Sequence, residues 1–156
     1  MHHQSARTGL LALALALVAP AILWTSASRP TAVHERKVVA GLAVVFGAEP
    51  EPALTDEMQF LRWRISSVAD STAYTQLEDA TATVTRDGQQ YGPFTVRPVR
   101  RDPGLYQTQH IFTGVGEYQS VLKFRKGQDP TVHSVDFTFQ IRDRATLELP
   151  PRRPGR

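Results

Sequence analysis

The sequence predicts an all-β domain, a two-sheet sandwich of about seven strands, and three observations carry that expectation. Apolar and polar residues alternate with period two, most cleanly in Val132–Arg142. There Val135, Phe137, Phe139 and Ile141 interleave with Ser134, Asp136, Thr138, Gln140 and Arg142. Turn signals built from Gly, Pro and Asp return roughly every ten residues. No stretch carries a convincing amphipathic helix; Ala69–Leu77 comes nearest, and Thr72 and Thr75 argue against it.

The elements follow in order. Val38–Phe46 is β-branched and apolar and is expected as the first strand, closed by Gly47. Pro50 and Pro52 then force an extended loop. In Met58–Ser66, Leu61, Trp63 and Ile65 alternate with Arg62, Arg64 and Ser66, giving one buried and one charged face, with Trp63 a core residue. Ala80–Thr85 alternates likewise, and Asp87-Gly88 supplies a hairpin turn into a return strand, Tyr91–Val99. Pro93 and Pro98 mark that return strand as an edge. Asp102-Pro-Gly104 turns the chain into Tyr106–Phe112. Thr113–Gly116 turns it again into Tyr118–Phe124, and Val132–Arg142 completes the set.

Both ends of the chain read differently. A basic start and the apolar run Leu10–Trp24 precede a small-residue patch, with Thr25 and Ala27 suited to the −3 and −1 positions of a cleavage site. The run is shorter than the roughly 20 residues of a membrane span, and Pro20 interrupts it. Residues 1–27 are therefore expected to be a signal peptide, and the protein to be extracytoplasmic, in the periplasm or cell exterior. Residues 28–36 read as a flexible lead-in and 37–142 as the single sandwich domain. The Pro/Arg-rich stretch 143–156 reads as a disordered tail.

Composition removes several function classes. The chain has no cysteine, which excludes disulfides, thiol nucleophiles and thiolate metal sites. Its 18 Lys+Arg against 15 Asp+Glu leave a formal charge of +3, without the basic stripe and interleaved aromatics that nucleic-acid binding requires. No G-x-S-x-G elbow, no S-x-x-K box and no strand–glycine-loop–helix context is present. Gly114-Val-Gly116 is expected to be a tight turn. Glu49, Glu51, Asp56 and Glu57 could in principle supply an acid–base pair, but a small sandwich with short turns leaves little room for the pocket such chemistry needs. They read as a solvated acidic loop.

Short motifs add a resemblance. Asp102-Pro-Gly-Leu-Tyr106 has the D-x-G-x-Y spacing of the tyrosine corner in immunoglobulin-type folds, and Gly116-Glu-Tyr118 repeats its second half. With His34-Glu35 ahead of the first strand and Glu51-Pro52 after it, residues 34–142 resemble small bacterial exported domains of the YtkA-like type. That resemblance implies an extracytoplasmic, immunoglobulin-like sandwich, in some cases linked to copper transport or cuproprotein assembly. Met-rich stretches are missing; Met1 and Met58 are the two methionines.

Two sets of site residues follow. His34, His110 and His133 are the imidazoles available to copper, although no H-x-H, H-x-x-H or HExxH spacing places any two together. Otherwise His110 shares a partly buried face with Tyr106, Thr108 and Phe112, and His133 sits at a strand end. For a partner, Arg97, Arg100 and Arg101 cluster at the Pro98 edge, and Glu49 and Glu51 form the acidic loop. The resulting expectation is a monomeric, non-enzymatic binding module of the cell envelope that docks a protein partner and needs no cofactor. The alternative is a periplasmic copper protein using histidine ligands.

Overall fold

The computed structural model describes residues 34–147. The expected signal peptide, the first part of the lead-in and the end of the tail lie outside these residues. Nine strands run in order: β1 (Glu35–Val39), β2 (Leu42–Glu49), β3 (Met58–Ser67), β4 (Leu77–Arg86), β5 (Gln89–Thr95), β6 (Arg97–Pro98), β7 (Leu105–Ile111), β8 (Gly116–Lys126) and β9 (His133–Ile141). A single 3-10 turn, Arg144–Thr146, follows them. The strands form two antiparallel sheets, β1-β2-β3-β7-β6 and β5-β4-β8-β9. Leaving β1 aside, this is the A-B-E-D sheet over the C′-C-F-G sheet of an immunoglobulin-like sandwich.

Alternation decides which side chains meet between the sheets. Leu61, Trp63 and Ile65 of β3 point inward beside Val44 and Phe46 of β2, all fully or almost fully buried. Leu122 and Phe124 of β8 and Phe137, Phe139 and Ile141 of β9 face them from the other layer. The layers touch ring to ring: Phe46 stacks on Phe137 with centroids 5.1 Å apart. Phe46 also meets Phe139 and Trp63, each at 5.6 Å. Burying each such large side chain contributes roughly 1.5–3 kcal/mol, and in a cysteine-free chain this apolar layer is the main source of stability.

Four expectations change in detail. Val38–Phe46 is not one strand but two strands joined by a tight turn at Ala40-Gly41. Both turn residues have positive φ, 50° and 75°, as a two-residue hairpin with native twist demands. Tyr91–Val99 also divides. The chain leaves the second sheet at buried Val96, whose N–H still reaches Ala80 O at 2.9 Å, and joins the first sheet as β6. The ordered unit reaches further at both ends, since Glu35 and Arg36 belong to β1 and the 3-10 turn holds 144–146. Asp143 caps that turn by accepting from Ala145 N–H at 2.8 Å.

The tyrosine corner is the fourth. Tyr118, near the start of β8, donates its hydroxyl to Gly114 O at 2.9 Å, closing the β7–β8 connection on itself. Tyr106 does something else. Its hydroxyl donates to Tyr74 O at 3.1 Å and accepts from Leu77 N–H at 3.4 Å, pinning the crossover from β3 to β4. Arg86 completes the Tyr118 corner by donating to its hydroxyl at 3.3 Å. The guanidinium occupies the space a side chain at Gly114 would need.

Tyr118→Phe is expected to lower unfolding stability by about 1 kcal/mol, because a partly buried carbonyl and a guanidinium both lose a partner. Urea denaturation would read this as a lower midpoint at unchanged slope.

Candidate functional site

The two sides of the sandwich are closed to different degrees. On one side β1 reaches past β2 and covers the edge at β9: Lys37 Nζ lies 3.3 Å from Asp136 Oδ2 and 5.3 Å from the centre of the Phe137 ring. A lysine at this place blunts the edge against pairing with another chain. On the other side β6 pairs with β7 at two positions only, Arg97 opposite Gln107 and Pro98 opposite Tyr106. The upper half of β7, Thr108–Ile111, has β3 on one flank and no paired strand on the other.

Chain connectivity produces this opening. Because the crossing at Val96 consumes the residues that would have continued β6, the first sheet ends early while β5 stays with the second sheet. Between them lies a cleft of about 140 Å³ walled by Tyr91, Phe94, His110, Phe112 and Tyr118, with Arg86 at its rim. Phe94 and His110 touch in its wall, with ring centres 3.9 Å apart and planes tilted by 45°. A shallower groove along the outer flank, about 430 Å³, runs past Thr95, Arg97 and Gln107–Gln109.

Arg97 borders the outer groove, and the other two arginines of the cluster lie towards the Leu105 end of β7. Arg97 lies on β6, and Arg100 and Arg101 lie in the following turn, all three exposed. Arg101 has a φ of 70°, a conformation that non-glycine residues rarely adopt. Five other arginines pair within the chain: Arg62 with Glu49, Arg64 with Asp102, Arg86 with Asp87, Arg125 with Asp79 and Arg144 with Glu57. Among the described residues none of Arg97, Arg100 and Arg101 forms an ion pair. Their charge is offered outward.

The acidic loop behaves in the opposite way. Glu49 is taken up by Arg62, and Glu51 lies 3.7 Å from His34. Arg64 grips Asp102 with two bonds of 3.0 and 3.1 Å, which holds that carboxyl below its ordinary pKa. Of the two surfaces expected to meet a partner, the acidic loop is thus engaged within the chain, while the arginine edge has no ion pair among the described residues.

The histidines do not converge. His34 precedes β1 on the outer face of the first sheet. His110 faces the cleft from the upper end of β7, its Nε2 3.2 Å from Thr108 Oγ1. His133 opens β9 opposite Phe124, whereas Gly116, at the start of β8, lies next to the β7 end. Eight residues of extended strand, roughly 26 Å, separate those ends, which rules out a shared site for His110 and His133. Among the described residues no group of three or more His, Asp or Glu side chains is placed to hold a metal ion. Met58 points outward from the first sheet and is exposed. This donor set does not fit the copper site that the resemblance implies, because strand register fixes its members on different faces and ends.

What sequence reading missed is the cleft. Tyr91 and Phe94 lie on a strand interrupted by Gly92 and Pro93, where period-two alternation is lost, so their inward direction had no local signal. Arg86, between a strand and its turn, carried no signal either. Only the placement of Tyr118 over Gly114 shows it to be part of a wall.

Desolvation in the cleft pushes the His110 imidazole below its ordinary pKa, so the folded protein favours the neutral ring. Unfolding frees the ring to bind a proton at about pH 6.5, and the unfolded state is favoured as pH falls through that value. The stability contribution is thus fully present above about pH 6.5 and is lost as the pH drops towards the lowered folded pKa. Denaturation midpoints of the parent should fall across this window more steeply than those of His110→Gln. Parallel profiles would show that His110 is not the group responsible.

No family model, no curated protein and no solved structure matches this chain, and the reading of the site rests on its own geometry.

Proposed function

We propose that this chain is an exported, non-enzymatic binding module of the cell envelope, which docks a protein partner through its arginine corner. The observation that carries the reading is the cluster Arg97, Arg100 and Arg101. It is exposed and without ion-pair partners among the described residues, whereas Arg62 and Arg64 on the same outer face are paired with Glu49 and Asp102. An outward field of one sign steers an acidic partner and fixes its register. The strained backbone at Arg101 supports the reading, since such conformations concentrate at functional places.

The N-terminal apolar run and small-residue patch support export, with Ser28 as the first residue of the working protein. The absence from the sequence of nucleophile elbows, phosphate loops and spaced metal motifs favours binding over catalysis. Likeness to YtkA-like domains supports the same location. The copper alternative gains nothing from the positions of the histidines.

Two measurements test this. N-terminal sequencing of the exported protein should begin at Ser28; retention of Met1 would mean an uncleaved N-terminal anchor, and recovery of the protein from the cytoplasm alone would remove the export reading. The immobilised protein should capture a partner from an envelope extract of the producing cells. Capture should weaken about tenfold or more in R97E/R100E/R101E, because reversing rim charges both slows association and repels an acidic surface. Unchanged capture would remove the arginine corner from consideration.

A further inference from the structure

The open flank of β7 has the makings of a strand-addition site. Backbone direction along β7 is fixed by three hydrogen bonds. Val99 N–H donates to Leu105 O at 2.8 Å on the β6 side. Ile65 N–H donates to Gly104 O at 2.7 Å, and Asp56 N–H to Phe112 O at 2.9 Å, on the β3 side. Odd-numbered backbone groups therefore face β6 and even-numbered ones face β3. Beyond Gln107 the odd positions are Gln109 and Ile111. Their N–H and C=O groups point to the flank where no strand is paired.

Three features surround those groups, and each selects a residue. Ile111 presents an exposed apolar side chain on the outer face, and Met58 lies directly opposite it on β3. His110, one residue along, faces inward to the aromatic cleft with Phe94. Arg97 stands two positions beyond Gln109 in the line of β6, without an ion-pair partner among the described residues. A strand laid antiparallel to β7 would place its first side chain beside Ile111, its second in the cleft and its third beside Arg97.

We infer that the partner is held by strand addition: an extended segment of the pattern apolar–apolar–acidic pairs with Gln109 and Ile111 and continues the line of β6. The inference rests on the docking function proposed above and gives it a binding mode. Main-chain bonds supply affinity, and the cleft and the guanidinium supply selection at alternate residues. The opposite edge cannot serve in this way, because Lys37 already lies across β9. The aromatic walls of the cleft select an apolar second side chain.

The test uses residues 28–156 and a capped pentapeptide, Thr-Val-Leu-Glu-Ser, as probe. With peptide at ten times its Kd, amide exchange at Gln109 and Ile111 should slow about tenfold, following the bound fraction. Arg97→Glu, and a peptide with Lys in place of Glu, should each weaken binding about tenfold. Gln109→Pro removes the donor at a position where edge strands tolerate proline, and it should abolish binding at an unchanged melting temperature. If that variant fails to fold, exchange in the parent decides.

The inference is overturned if the peptide fails to bind at millimolar concentration. It also falls if binding leaves both amides unprotected, or if folded Gln109→Pro binds as the parent does. Partner capture that survives Gln109→Pro but is lost in R97E/R100E/R101E would sink strand addition and leave acidic docking standing. Peptide protection with capture insensitive to the arginines would sink the arginine corner and leave strand addition.

Discussion

Contact between the two sheets through Phe46 and Phe137 is the interaction on which the rest of this molecule depends. The stacked rings tie the second strand of one layer to the last strand of the other, and Trp63 and Phe139 complete the row. Because no disulfide crosses between layers, this row and its aliphatic neighbours must set both spacing and alignment. The row lies on the side of the sandwich where β1 wraps across β9. The opposite side has no such strap, and there the layers meet at Phe94 and His110 beside the unpaired flank of β7. One firm seam and one loose seam follow from the same small set of aromatic side chains.

Fully buried Gln59 shows how polar groups are fitted into this scheme. Its side-chain amide accepts from Leu54 N–H and donates to Pro50 O, each at 3.2 Å. The loop between β2 and β3 is thereby held over the upper end of the core, directly beside the register position of His110. A buried amide satisfied on both sides rigidifies its surroundings, whereas one left half-satisfied would cost about 1–3 kcal/mol. The acidic loop is thus a fixed cover, and its carboxylates turn to Arg62 and His34 instead of to a partner.

How far the sequence could be read depended on whether local chemistry and tertiary connection agreed. Val132–Arg142 and Met58–Ser66 sit in regular ladders, so their alternation gave direction and burial correctly, Trp63 included. The Ala40-Gly41 turn escaped notice because apolar residues run straight through it and no Asn or Asp marks the left-handed position. The switch of sheet at Val96 was invisible for a similar reason, since an apolar residue between two prolines reads as one more strand position. The G-x-Y half of the tyrosine-corner spacing occurs twice, and only the partner carbonyls separate Tyr118 from Tyr106. Arginine clustering was legible, but whether a given arginine is already engaged depends on residues distant in the chain, as with Arg64 and Asp102. The cleft could not be read at all, because its walls come from four separate strands and a turn.

The two-residue length of β6 has a consequence for how such a domain can diversify. Where the chain crosses between layers determines, in whole residues, how much of the neighbouring strand stays uncovered. Moving the crossing two residues earlier would extend β6 across Gln109 and leave only Ile111 open in the window, without touching the core. Moving it later would release Gln107 as well and lengthen the window by one backbone pairing unit. Selectivity in this architecture is therefore adjustable in discrete steps through a short connector. The aromatic layer, which every version would share, is left alone.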